Sequence, residues 1–169
     1  MIYLREIAEA DLPLIRTWRQ DPEICRWLVG DAVQTTPEST LLWWQSYLSA
    51  KPTQARFAIC LKETQAMIGR IDLLDIKPTQ DAELQILIAE EPHRHHGYGL
   101  QATRLCLEHA FHTLKLHSVY LRVLANNPRA IRLYEKAGFI RAPTPQPPVI
   151  KQGIEYEVLK MTLENHNFS

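Results

Sequence analysis

Apolar and polar positions along the chain change period several times, and each change marks an element. IYLREI alternates as a first strand, and two segments of helical period follow. Asp11 stands as an N-cap before LPLIRTWRQ, and Thr36, ahead of Pro37, opens ESTLLWWQSYLSA. ARFAICL and AMIGRIDLLDI, separated by KETQ, read as an antiparallel hairpin. In AELQILIAE the residues Leu84, Ile86 and Ile88 alternate with Glu83, Gln85 and Leu87, so one face of this strand is apolar.

From Gly99 the period becomes helical. Gln101, Arg104, Glu108, His112 and Lys115 share one face, and Leu105, Cys106, Ala110 and Leu114 share another, which predicts an amphipathic helix of about four turns. SVYLRVL is then a strand. Asn127 with Pro128 opens a helix through PRAIRLYEKA, Gly138 closes it, and Phe139 with Ile140 begins another strand. APTPQPP is too rich in proline for a sheet interior, IEYEVLKMTL alternates as one last strand, and the tail ENHNFS is expected to fray. Two strand-helix-strand crossings in the second half imply a mixed sheet with helices on its faces.

Composition narrows the function. With 169 residues, 46% of them hydrophobic, the chain is long enough for one core, and a single domain over residues 1–169 is expected. Its 19 basic and 19 acidic side chains cancel, and no basic stripe interleaved with aromatics stands out, which argues against nucleic acid and an anionic membrane as partners. MIYLREIAEADL has neither a signal peptide's apolar run nor a membrane span, so a cytoplasmic protein is expected. Cys25, Cys60 and Cys106 are odd in number and far apart, which suits buried core thiols.

The chemistry concentrates in HRHHGYGLQATRL, residues 93–105. A metal site of His93, His95 and His96 lacks a cysteine or carboxylate at ligand spacing, and no metal is expected. GYGLQA formally matches a dinucleotide turn, yet EEPHRHH separates it from its strand and SVYLRVL ends without the acid that holds a ribose. A third reading is a phosphate-binding nest, in which the amides of residues 95–99 converge at a helix start, Gly97 and Gly99 let the main chain approach, and Arg94 adds positive charge. A plain strand-to-helix turn is the fourth.

Arg94 to Gly99 fits R/Q-x-x-G-x-G/A, and about thirty residues later comes NPRAIRLYEKAGF. That pair, on those elements, resembles the GCN5-related N-acetyltransferase (GNAT) superfamily, and specifically its ribosomal-protein, spermidine and aminoglycoside branch. The resemblance implies an α+β fold: a central, mostly antiparallel sheet of about seven strands with a splayed parallel pair, flanked by about four helices. It also implies acetyl-CoA as co-substrate. The pyrophosphate would lie on Arg94, His95, His96, Gly97, Tyr98 and Gly99, with Tyr98 packing over the turn. The pantetheine arm would meet the main chain at Leu87, Ile88 and Ala89, and Asn127 would contact it.

By the same resemblance Tyr134 is the general acid for the leaving thiolate and Glu83 the general base for the amine, with Asp72, Asp75 and Asp81 as fallbacks. An alkyl amine near pKa 10.4 is almost wholly protonated at pH 7, so such a base has work to do. The amide of Leu87 or Ile88 would polarise the acetyl carbonyl. Transfer is expected to be direct, since Cys106 lies on the buried helix face. Trp18, Trp27, Trp43 and Trp44, with Glu23, Asp31 and Glu38, mark the early helices as the acceptor side. The expected acceptor is a small-molecule amine: a polyamine, aminosugar or aminoglycoside. The alternatives are a protein N-terminus or a silent acyl-CoA-binding module. A monomer or homodimer is expected.

Overall fold

The computed structural model describes residues 1–89, 91–94 and 96–169. Seven strands form the main sheet: β1 (Ile2–Glu6), β2 (Ala55–Leu61), β3 (Met67–Leu74), β4 (Asp81–Ile88), β5 (Ser118–Leu124), β6 (Ile140–Arg141) and β9 (Val158–Glu164), in the order β1-β2-β3-β4-β5-β9-β6. Every neighbouring pair is antiparallel except β4 and β5. Four helices flank it: α1 (Leu12–Gln20), α2 (Pro37–Ser49), α3 (Tyr98–Glu108) and α4 (Pro128–Ala137).

Strand alternation assigns the two faces. Ile59, Ile71, Leu73, Leu84, Leu121 and Val123 point to one side, where they form the larger core with Cys106, Leu107 and Phe111 of the α3 segment and Ile131 and Tyr134 of α4. Ala58 and Cys60 point to the other side and pack with Ile15 of α1 and Trp44 and Tyr47 of α2. All three cysteines are buried and unbridged, as small core residues. Among the described residues no helix is long and apolar enough to cross a membrane.

Local chemistry fixes the helix ends. At α2 the Thr36 hydroxyl accepts from the Ser39 N–H (3.0 Å) and Ser39 Oγ accepts from the Thr36 N–H (2.9 Å), with Pro37 at the first helical position. Asn127 Oδ1 accepts from the Ala130 N–H (3.2 Å) to start α4, and Gly138 closes it.

The structure corrects four expectations. Asp11 is not the cap of α1: its carboxylate reaches back, taking two bonds from Arg5 (2.7 and 2.8 Å) and one from the Ala8 N–H (2.8 Å). Leu105, assigned to the buried helix face, is 37% exposed, and after Glu108 the helix continues as a π-helical stretch, His109–Thr113, that shifts the facing positions. The last strand is broken at Glu157. Its first part, β8 (Ile154–Tyr156), pairs with β7 (Val149–Lys151) in a separate hairpin whose turn residues Gln152 and Gly153 both have positive φ. The tail is docked: Phe168 packs against Phe111 at 5.3 Å, and Asn165 donates to the carbonyls of Leu116 and His117.

Candidate active site

The parallel ladder between β4 and β5 spans only Asp81–Glu83 against Ser118–Tyr120, and beyond it the strands part. The Ala89 N–H donates to the Ile68 carbonyl (2.9 Å) in the register that pairs Arg70 with Leu87 and Gly69 with Ile88. Alternation in an antiparallel pair then turns the Leu87 N–H to β3 as well, and turns those of Ile86 and Ile88 away from β3, into the gap. The two carbonyls at the strand end are held by one side chain: Arg94 Nε donates to Ile88 O and Nη2 to Ala89 O, each at 3.1 Å. Arg94 thus braces the end of β4.

After this brace the chain enters the glycine turn. His96 Nε2 lies 2.8 Å from the Pro92 carbonyl and its ring stacks on Tyr98 at 5.6 Å; His95 falls outside the described residues. Gly97 has φ +78°, a left-handed conformation that glycine adopts without a Cβ clash, and no side chain caps the helix it precedes. The leading N–H groups of α3, at Tyr98, Gly99 and Leu100, therefore have no partner within the helix. Gly99 answers to a different need. A Cβ there would stand 2.8 Å from Leu133 Cδ1, so the glycine leaves room for that side chain of α4.

The two ionisable groups singled out by the sequence lie on opposite sides of the sheet. Glu83 points to the α1/α2 side, where Arg122 Nε donates to its Oε2 at 2.8 Å. Tyr134 belongs to the α3/α4 core, is 8% exposed, and meets Phe139 edge-on at 6.0 Å. Burial pushes its hydroxyl up to about 12. Burial also holds the Cys106 thiol protonated, which leaves it inert as a nucleophile.

On the α1/α2 side the four tryptophans divide. Trp18 and Trp44 are core, Trp27 is exposed beneath Arg26, and Trp43 is half-buried and ringed by three guanidinium groups, those of Arg56 (4.9 Å), Arg19 (5.7 Å) and Arg70 (5.8 Å). Arg70, Asp72, Gln85, Ile86, Leu87 and Leu28 line a small pocket against β4. Leu28 is positioned by Lys151, a buried lysine whose ammonium donates to the carbonyls of Cys25, Arg26 and Leu28. The β7–β8 hairpin thereby holds the loop after α1 over the sheet.

The sequence model of the acetyltransferase (GNAT) domain matches residues 2–140. The chain belongs to the GNAT acetyltransferase family. The spermidine N(1)-acetyltransferase of Vibrio cholerae is 39% identical over 75 residues, 44% of this chain and 43% of that protein. The human alpha/beta-tubulin-N-acetyltransferase 9 is 25% identical over 130 residues, 76% of this chain and 53% of that one. This chain thus spans about half, or less, of the length of these curated relatives. Among solved structures, the Vibrio cholerae spermidine N-acetyltransferase in complex with CoA and spermine superposes with a TM-score of 0.87 at 23% identity, covering 98% of this chain and 96% of that one. The fold is the GNAT fold, with its mostly antiparallel seven-stranded sheet and one parallel pair.

The structure distributes the expected residues. The N–H of Ile88 turns to the gap and Gly97, Tyr98 and Gly99 form the start of α3, while the Leu87 N–H turns to β3 and both main-chain groups of Ala89 are engaged by Ile68 and Arg94. Sequence reasoning missed the brace formed by Arg94, the Arg122 partner of Glu83 and the guanidinium ring around Trp43. A faint signal existed for the last: Arg56 in β2, and Arg70 with Asp72 in β3, are the charged residues in strands that are otherwise apolar.

Proposed function

We propose that this chain is an acetyl-CoA-dependent N-acetyltransferase that moves acetyl directly to a primary amine of a small molecule. The observation that carries this reading is the gap itself, which turns the main-chain groups of Ile86 and the N–H of Ile88 away from β3 beyond the last β4–β5 pair. An extended pantetheine arm adds to such an edge as a strand would. Acetyl-CoA supplies the thioester. The amides of Gly97 to Leu100 receive its pyrophosphate at the start of α3, Asn127 borders the arm, and the Ile88 amide polarises the acetyl carbonyl.

Proton handling falls to two residues. Glu83 takes the proton of the incoming ammonium, directly or through water, and Arg122 orients its carboxylate. Tyr134 stabilises the departing sulfur from the far side. A phenol near 12 gives its proton to a thiolate of ordinary affinity, near 8.5, only uphill by about 5 kcal/mol at ~1.4 kcal/mol per pKa unit. Its part is therefore to donate a hydrogen bond to sulfur, with solvent completing protonation.

The matched stretch of the spermidine acetyltransferase supports a small-molecule amine, and the longer match to the tubulin acetyltransferase supports a protein amine as the second reading. The test is calorimetry with acetyl-CoA, followed by thiol release with polyamines, aminoglycosides, aminosugars and short peptides. Binding at tens of micromolar or tighter, with turnover on a small amine, is the expected result. Absence of binding removes the proposal, and turnover on peptides alone selects the second reading.

A further inference from the structure

The acceptor side of the gap is cationic, which the neutral composition conceals. Arg19 from α1, Arg56 from β2 and Arg70 from β3 surround the ring of Trp43, and Asp72 is the carboxylate beside Arg56 and Arg70. Arg56 is hydrogen-bonded at two of its nitrogens, Nη1 to Asp72 Oδ2 (2.9 Å) and Nε to Gln54 Oε1 (3.0 Å). Arg70 is not. Its Nε stands 3.9 Å from Asp72 Oδ2, and its Nη1 is buried without a hydrogen-bond partner. Asp72 Oδ1, on a side chain 2% exposed, is likewise buried and unpartnered. A buried donor and a buried acceptor left open together are costly, because each has lost water and gained nothing in exchange.

Their position gives them a use. Arg70 and Asp72 line the pocket against β4, and Arg70 is the register partner of Leu87, one residue from the amide of Ile88 at the gap. The guanidinium groups also repel one another. Arg56 and Arg19 both hold their protons less tightly than usual, first through burial and then, among other charges, through the nearby Arg70. The acids that the sequence places on the same segment do not offset this. Asp31 accepts from the Ala32 and Gln152 N–H groups, and Glu23 and Glu38 lie exposed.

We propose that the acceptor is a primary amine that also carries a carboxylate or phosphate group, seated on Arg70 with an N–H donated to Asp72. The inference rests on the N-acetyltransferase reading and narrows its substrate. An anionic group completes the guanidinium of Arg70 with charge-assisted hydrogen bonds and relieves the repulsion with Arg19 and Arg56. A free polyamine does neither.

The test compares matched acceptors on the full-length wild-type chain by thiol release: 4-aminobutyrate against 4-aminobutanol, and glucosamine 6-phosphate against glucosamine, with spermidine alongside. In at least one pair the charged acceptor should have a kcat/KM higher by about tenfold or more, as a site built for one ionic hydrogen-bonded group discriminates. The pair that responds tells carboxylate from phosphate. Arg70→Met should abolish that preference by lowering kcat/KM for the charged acceptor. If Arg70→Met fails to melt cooperatively, the wild-type comparison stands without it. Equal rates within both pairs, or a preference for spermidine, in protein that binds acetyl-CoA and acetylates some amine, would overturn the anionic acceptor while leaving the transferase intact. Protein that binds no acetyl-CoA overturns both.

Discussion

Tyr134 keeps its proton across neutral and mildly alkaline pH, because a hydroxyl pushed up to about 12 by burial has no reason to ionise there. A hydrogen bond to developing sulfide charge is lost in Tyr134→Phe, and kcat should fall about 10- to 100-fold, at the low end for a positioned proton donor, with the KM for acetyl-CoA little changed. The wild-type pH profile of kcat should carry no limb from this residue between about pH 6 and 9. An unchanged single-turnover rate in the variant would remove Tyr134 from the chemistry. At this scale the sequence was partly legible. The two motifs pointed to the glycine turn and Tyr134, and the strand before them to Glu83, whereas nothing local announced that Arg94, expected on phosphate, braces two carbonyls. Direction of a long side chain depends on tertiary neighbours that no local pattern encodes.

Among the elements, α3 and α4 hold the cofactor side together through two glycines with unlike constraints. Gly97 has room around it and is limited only by its positive φ, so Gly97→Asn should cost at most about 1 kcal/mol, since asparagine tolerates the left-handed region. Gly99→Val drives a side chain into Leu133, and separating the helices should cost about 1–3 kcal/mol, as overpacking does, and raise the KM for acetyl-CoA. Thermal melts of the two variants, with acetyl-CoA titrations, check the contrast; equal effects would refute it. Strongly patterned elements such as β2, β5 and α4 could be read from the sequence to the residue. The β7–β8 hairpin could not, because its strands are three residues each and its Gln-Gly turn interrupts what looks like one alternating run. The docked tail was likewise hidden, since a lone Phe168 carries no periodicity.

For the molecule as a whole, acid stability depends on how β1 is tied to the helices beside it. Asp11 is held below its ordinary value chiefly by Arg5, and Glu6 chiefly by Lys51, with Tyr47 adding a hydrogen bond at 2.9 Å. A carboxylate whose folded affinity for protons is lowered contributes its stability above the unfolded value and loses it as pH falls through the folded one, here below about pH 4. Asp11→Asn should reduce stability at pH 7 by about 1–3 kcal/mol and narrow the difference in melting temperature between pH 7 and pH 3. Melts that differ equally at both pH values would assign the loss to packing. The order of elements along the chain followed from alternating patterns and the sheet's mixed character from the strand-helix-strand crossings, but the gathering of charge around Trp43 did not. Three arginines from α1, β2 and β3 meet only after the sheet has formed.

The placement of Glu83 and Tyr134 on opposite faces of one sheet sets the traffic through the enzyme proposed here. Under that proposal each substrate would have its own doorway, the two meeting in the slot between β4 and β5. Neither partner would need to leave before the other entered, no acyl group would be parked on the protein, and the acetylated amine would depart by the door it came in without waiting for CoA.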